Sequence, residues 1–264
     1  MQFVEPKVFH IAQTSLDTEG VGHFLQELGV PDWDTDAPSD QEKLIEFGGK
    51  LCYLSFAPQI LNKNVTKITE DNKKYIGNIL KQKHGSVLEH GCDSFALLNV
   101  SRIFTHELVR HRVGTAFSQV SGRYVRIESI DNWFPEIFST HEEVGLIKSI
   151  YTETLINIEC GIKKLLDILK LDEIKSFDVK KKLTSAIRRL APNGMANHIL
   201  VTANHRAWRH MIEMRTSRHA EEEIRLVFGM IFYQLVTKYP NLYQDYTAEK
   251  VDGFFEIKFE NSKV

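Results

Sequence analysis

The sequence predicts an α+β fold, a single domain over residues 1–264 in which a mixed sheet is flanked by helices. Three observations carry that expectation. Hydrophobic residues make up 42% and charged residues 26% of the 264 positions, the balance of a globular chain that buries a core, which excludes disordered, collagen-like and disulfide-scaffold classes. Stretches with helical spacing of apolar residues are interspersed with a few short alternating ones. No internal repeat, low-complexity tract or linker divides the chain.

The elements follow in order. Val8–Gln13 alternates as a short strand, and Gly20–Asp40, with Pro31 and Pro38, reads as a loop holding a short helix. Gln41–Phe56 has helical spacing, with Leu44, Ile45, Leu51 and Cys52 as the inward residues. Thr69 is placed to cap a helix through Lys83, with Glu70 and Asp71 in its first turn and His84-Gly85 ending it. Ser94–Val100 reads as a strand covered on both faces, and Ser101 as the cap of a helix running to about Arg112. Thr140 to Glu143 fits a capping box before a long amphipathic helix through Ile147, Ile150, Tyr151, Leu155, Ile158, Ile162, Leu165, Leu166 and Leu169. Asp172–Lys182 reads as a charged connection. His198–Asn204 is a further strand, His205–Met214 a helix, and Glu221–Tyr239 a closing helix with Ile224, Val227, Phe228, Ile231 and Leu235 on one stripe, stopped by Pro240.

No apolar run approaches the roughly 18 residues that span a bilayer, and Met1–Leu16 lacks the build of a leader, so a cytoplasmic protein without a membrane partner is expected. Cys52, Cys92 and Cys160 are odd in number and widely spaced, which argues for free thiols. A net charge of −2 gives no overall pull toward polyanions, so an anion-binding surface has to be local.

The cations supply one. Of 33, 12 are arginine, all between Arg102 and Arg126 or between Arg188 and Arg225, and neither window holds a lysine. Guanidinium binds phosphate through a planar fork and stacks on flat rings, which an ammonium cannot do. Two arginine-rich segments therefore point to planar, phosphorylated ligands, against the plainer reading of solvated helix faces. His106-Glu107-Leu-Val-Arg110-His111 is not a zinc site, because on a helix histidines five apart diverge by about 140°, against about 40° at the zinc motif's spacing of four. No metal is expected. The stretch from Gly114 to Tyr124 is a polar, glycine-containing loop rich in hydroxyl and amide groups, suited to phosphate and a base edge.

Arg110-His111-Arg112, then eight residues, then Ser121-Gly122-Arg123-Tyr124 closely resembles the RHR-x(7 or 8)-S motif of the flavin-dependent thymidylate synthases. Asn204-His-Arg-Ala-Trp-Arg-His210, Met214-Arg215-Thr-Ser-Arg-His219 and Leu88-Glu89-His90 resemble the same family, in order and at compatible spacing. The resemblance implies conversion of dUMP to dTMP, with 5,10-methylenetetrahydrofolate as carbon donor, FAD as cofactor and NADPH as reductant, in a homotetramer whose active sites are shared between subunits. It implies that FAD meets His90, Cys92, Arg110, His111, Arg112, Asn204, Arg206 and His210. It places dUMP against Glu107, Arg110, Gln119, Val120, Ser121, Gly122, Arg123, Arg188 and Arg215, with Arg215 catalytic.

Two other readings use the same residues. The arginines with Phe117, Tyr124 and Trp208 could make a surface for single-stranded nucleic acid, which a pI near 6.6 weakens. A nucleotide-binding regulatory module without chemistry is the other.

Overall fold

The structure, a computed structural model, describes residues 1–56, 62, 64, 65 and 68–262. Along the chain run β1 (Lys7–Gln13), α1 (Thr18–Glu27), α2 (Asp40–Tyr53), α3 (Asn72–Lys81), a 3-10 turn at Gly85–Glu89, β2 (Cys92–Ser101), α4 (Arg102–Leu108), β3 (Thr115–Gln119), α5 (Glu136–Ser139) and α6 (Val144–Leu169). Then come α7 (Phe177–Ile187), a second 3-10 turn at Arg188–Leu190, β4 (Ala196–Asn204), α8 (His205–Arg215), α9 (Glu222–Lys238), β5 (Tyr246–Val251) and β6 (Phe254–Phe259). The class is α+β, with a four-stranded sheet in the order β1-β2-β4-β3 and a separate β5-β6 pair. The chain divides into two compact units, the first made of Met1–Phe9, Ala96–Arg110 and Phe117–Val201, the second of His10–Phe95, His111–Ala116 and Thr202–Val264.

In the first unit α6 buries only Leu155 and Ile162, against Ile130, Leu171 and Ile187, while Ile150 and Leu165 of the expected stripe are exposed. The Thr140–Glu143 box does not form. Thr140 closes α5 instead, its hydroxyl donating to the Ile137 carbonyl, and Glu143 caps α6 without a side-chain bond. The supposed connection at 172–182 is half helix, because Ser176 accepts from the Val179 N–H and starts α7. Ser101 caps α4 as expected, accepting from Phe104 N–H at 3.0 Å, but the helix stops at Leu108, so Arg110, His111 and Arg112 lie beyond it. β3 arises inside the stretch read as loop, and just beyond it Val120 N–H donates to the His198 carbonyl on β4.

In the second unit α9 buries Ile224, Val227, Phe228, Ile231 and Leu235, the expected stripe. β5 and β6 pair antiparallel from Tyr246↔Phe259 to Val251↔Phe254. Asp252 and Gly253 between them both have positive φ, 53° and 87°, the two-residue turn that matches the twist of a hairpin. α2 departs from expectation. Only Ile45 of its four inward candidates is buried, Leu51 and Cys52 are exposed, and Gln41, Glu42, Glu46 and Lys50 are buried instead. Each has a polar partner far along the chain: Glu42 accepts from Asn241 N–H, Glu46 from the Asn72 amide, and Lys50 donates to the Thr69 carbonyl. α3 is capped by Asp71, which accepts from Lys74 N–H at 2.8 Å, and not by Thr69.

Candidate active site

Three segments of the second unit carry most of the residues expected at a cofactor. Asn204 caps α8, its side-chain oxygen accepting from Ala207 N–H at 2.9 Å, while its own N–H donates to the Gly114 carbonyl at 3.1 Å. Gly114 has φ +68°, and a Cβ there would stand 2.4 Å from Asn204 Nδ2, so glycine alone allows the 111–114 turn to lie on the start of α8. At the other end of α8, Arg215 donates from Nε to His111 Nε2 at 2.8 Å, and the His111 and His210 rings meet edge to face at 5.8 Å. That bond needs an unprotonated Nε2. Burial, then the charges of Arg215 and His210, hold the His111 imidazole down at about 4, so it accepts at neutral pH. Arg206 is exposed and pairs with Glu89 at 2.6 Å. His90 lies against Gly48, where a Cβ would stand 3.2 Å from its ring. Cys92 N–H donates to Thr14 Oγ1, and burial, with Asp93 beside it, pushes the thiol up. Arg112 is exposed.

In the first unit the expected substrate residues gather around one turn. The Gln119 amide donates to Thr105 Oγ1 on α4 at 3.0 Å, fixing the end of β3. The Ser121 carbonyl accepts from Tyr124 and Val125 N–H, both at 3.0 Å, and its hydroxyl accepts from Arg123 N–H at 3.3 Å, so that oxygen already serves the turn. A Cβ on Gly122 would lie 3.5 Å from Arg188 Cδ and 3.7 Å from Arg102 Nη2. The Arg102 guanidinium and the Arg188 side chain thus meet over a bare backbone. Neither has a carboxylate partner among the described residues, and the Arg102 group is pushed down by burial and then by the charge of Arg188. Two like charges held close without a counter-ion define a place for an anion. Arg102 is absent from the residues singled out in sequence, although it opens the first arginine window. Glu107 is half-buried on α4 and its carbonyl accepts from Arg110 N–H; Val120, Arg123 and Arg110 are exposed.

The arginine partition is not wholly functional. Arg209 is buried and forks onto Asp245 at 2.8 and 2.9 Å, Arg218 pairs with Glu256, and Arg225 is buried and donates to the Val251 carbonyl. Trp208 is fully buried against Phe95 and Phe228, which removes it from any base-stacking surface. Among the described residues, no group of three or more His, Cys, Asp or Glu is placed to hold a metal ion, and no helix is long and apolar enough to cross a membrane.

The family model described as "Thymidylate synthase complementing protein" matches residues 35–241. The flavin-dependent thymidylate synthase of Mycolicibacterium vanbaalenii is 34% identical over 233 residues, covering 84% of this chain and 86% of the relative. That of Corynebacterium diphtheriae is 33% identical over 248 residues, covering 91% and 94%. Among solved structures, the UMP/dUMP methylase PolB from Streptomyces cacaoi, bound with 5-Br dUMP, matches with a TM-score of 0.66 at 14% identity over 92% of this chain and 96% of that one, a likeness of fold.

Proposed function

The chain belongs to the flavin-dependent thymidylate synthase family, and on that premise we propose that it methylates dUMP reductively to dTMP, with 5,10-methylenetetrahydrofolate as carbon donor, NADPH as reductant and FAD as bound cofactor. We further propose a cytoplasmic homotetramer with active sites shared between subunits. The observation that carries the reading is the bond from Arg215 to His111, which ties the proposed catalytic guanidinium to a residue of the proposed cofactor set.

The residues fit an anionic dinucleotide. The start of α8 offers helix N–H groups beside Arg206, and the neighbouring 111–114 turn has a glycine where a Cβ would collide. His90, Cys92, Arg110, His111, Arg112, Asn204, Arg206 and His210 would hold FAD there. When bound, flavin supplies the hydride, and the protein supplies its orientation.

For dUMP, Arg102 and Arg188 over Gly122, with Ser121 and Arg123, would take the phosphate; Glu107, Arg110, Gln119 and Val120 complete the set. C5 of uracil is a poor nucleophile until charge enters the ring. The family resemblance implies no thiolate addition at C6, and burial pushes the Cys92 thiol up, away from the thiolate form at neutral pH. The Arg215 guanidinium instead would stabilise negative charge developing at N3 and O4, with neutral His111 accepting its Nε–H.

The test is a dTMP assay with components omitted in turn. Product should form only when dUMP, methylenetetrahydrofolate and NADPH are all present with FAD-loaded protein. Product formed equally well by flavin-free protein, or none in the complete mixture, would overturn the reading.

A further inference from the structure

A buried polar network in the second unit has no part in the chemistry above. Asp93 on β2 is fully buried. Its Oδ1 accepts from His10 Nε2 at 2.6 Å and from the Tyr239 hydroxyl at 2.8 Å, and its Oδ2 accepts from Gln41 Nε2 at 3.0 Å. His205, the first residue of α8, is equally buried, with Nε2 3.0 Å from Gln41 Oε1 and Nδ1 3.0 Å from the Tyr243 hydroxyl. The pattern closes one way only. Gln41 Nε2 is spent on Asp93 and Tyr239, so Gln41 Oε1 must accept from His205 Nε2–H, and His205 Nδ1 must accept from Tyr243.

This network grips the backbone of Gly91. His205 N–H donates to the Gly91 carbonyl at 3.1 Å, and a Cβ on Gly91 would stand 2.5 Å from Gln41 Oε1 and 2.7 Å from the His205 ring. Gly91 lies between His90 and Cys92, and His205 follows Asn204, the cap on which the 111–114 turn rests. A hydrocarbon core would join β2 to α8 at lower cost than a buried carboxylate. Fixed donors and acceptors add direction, holding one carbonyl and one ring in a single orientation.

We propose that Asp93, Gln41 and His205 are positioning residues for the cofactor, clamping Gly91 and Asn204 so that His90, Cys92 and the start of α8 stand where FAD is held. This rests on the FAD reading above, and the experiment separates the two.

The test uses the full chain stripped of FAD and titrated with FAD, and separately with dUMP. Asp93→Asn keeps shape but turns a donating amide NH2 toward the donating Gln41 amide. It should weaken FAD binding by about 10-fold or more, as expected for one buried bond lost with its partner unsatisfied. It should also alter the visible flavin band and leave unchanged the dUMP affinity, whose proposed phosphate contacts, Arg102 and Arg188, lie in the first unit. Adding Gln41→Glu to Asp93→Asn returns an acceptor to the same bond and should restore FAD affinity. If Asp93→Asn is insoluble, Tyr243→Phe removes only the proton given to His205 Nδ1 and should weaken FAD selectively in the same way. Wild-type FAD affinity and spectrum in whichever variant folds would overturn the inference, as would parallel loss of FAD and dUMP binding. Wild-type protein that takes no FAD would remove both readings.

Discussion

Arg215 Nε and His111 Nε2 stand 2.8 Å apart, a bond that settles which nitrogen of the imidazole is bare and which way the guanidinium faces. Removing the guanidinium should therefore strike turnover and spare the cofactor. Arg215→Ala is expected to lower kcat by about 10²–10³-fold, the loss of a preorganised charge stabiliser, with FAD still bound. Arg215→Lys should not rescue it, because an ammonium offers neither the Nε donor nor the fork. Steady-state rates on flavin-loaded variants decide this, and a near-normal rate for Arg215→Ala would show the assignment to be wrong.

Acid should unfold the protein in two stages. His111 and His205 are both held at about 4, chiefly by burial, against 6.5 when unfolded. Above pH 6.5 folded and unfolded chains bind the same protons at these rings. As pH falls from 6.5 to about 4 the unfolded chain takes up protons that the folded chain refuses, and stability is lost across that window. Glu159, held at about 2 mainly by Lys163, and Glu256, held at about 2 mainly by Arg218, add a second loss between 4.5 and 2. Melting temperatures across pH should fall in both windows, with a shallower first stage in His205→Gln. Identical slopes for wild type and variant between pH 6.5 and 4 would contradict this.

The pairing of Arg102 with Arg188 over Gly122 gives a split between binding and turnover. Either arginine changed to Ala should raise the KM for dUMP about 10–100-fold, the worth of one charge-assisted bond to phosphate, with little change in kcat. Added salt should weaken dUMP binding in the wild type more than in the variants. An unchanged KM for Arg102→Ala would place the phosphate elsewhere.

Arg209 and Asp245 form a fork at 4% and 8% exposure. Asp245→Ala leaves a buried cation unpaired and should cost about 3–5 kcal/mol. Urea unfolding measures it, and FAD per folded molecule should not change. A loss below about 1 kcal/mol, the range of exposed pairs, would mean that the pair is in effect solvated.

How far the sequence announces this structure depends on where each residue finds its partner. α8, α9 and the start of α4 are legible because their signals are local: Asn204 and Ser101 bond within three residues, and the stripe of α9 repeats on one face. α2 misleads because Gln41, Glu42, Glu46 and Lys50 are made burial-worthy by Asp93, Asn241, Asn72 and Thr69, none of which its own periodicity reveals. Thr140 fits two motifs and takes the earlier one. The β5-β6 hairpin did carry a local sign, Asp252-Gly253, which the reading of the motifs passed over. Of the proposed site, the arginine windows expose nearly all the members, but only the coordinates separate Arg209, Arg218 and Arg225, each matched to a protein partner, from Arg102 and Arg188, which both lie over Gly122.

The visible absorbance spectrum of the purified protein, before and after NADPH is added, tests most directly whether these residues serve a flavin. The protein should be yellow, its flavin band should bleach on reduction, and it should release FAD when denatured. A colourless protein that gains no such band when FAD is supplied would contradict this.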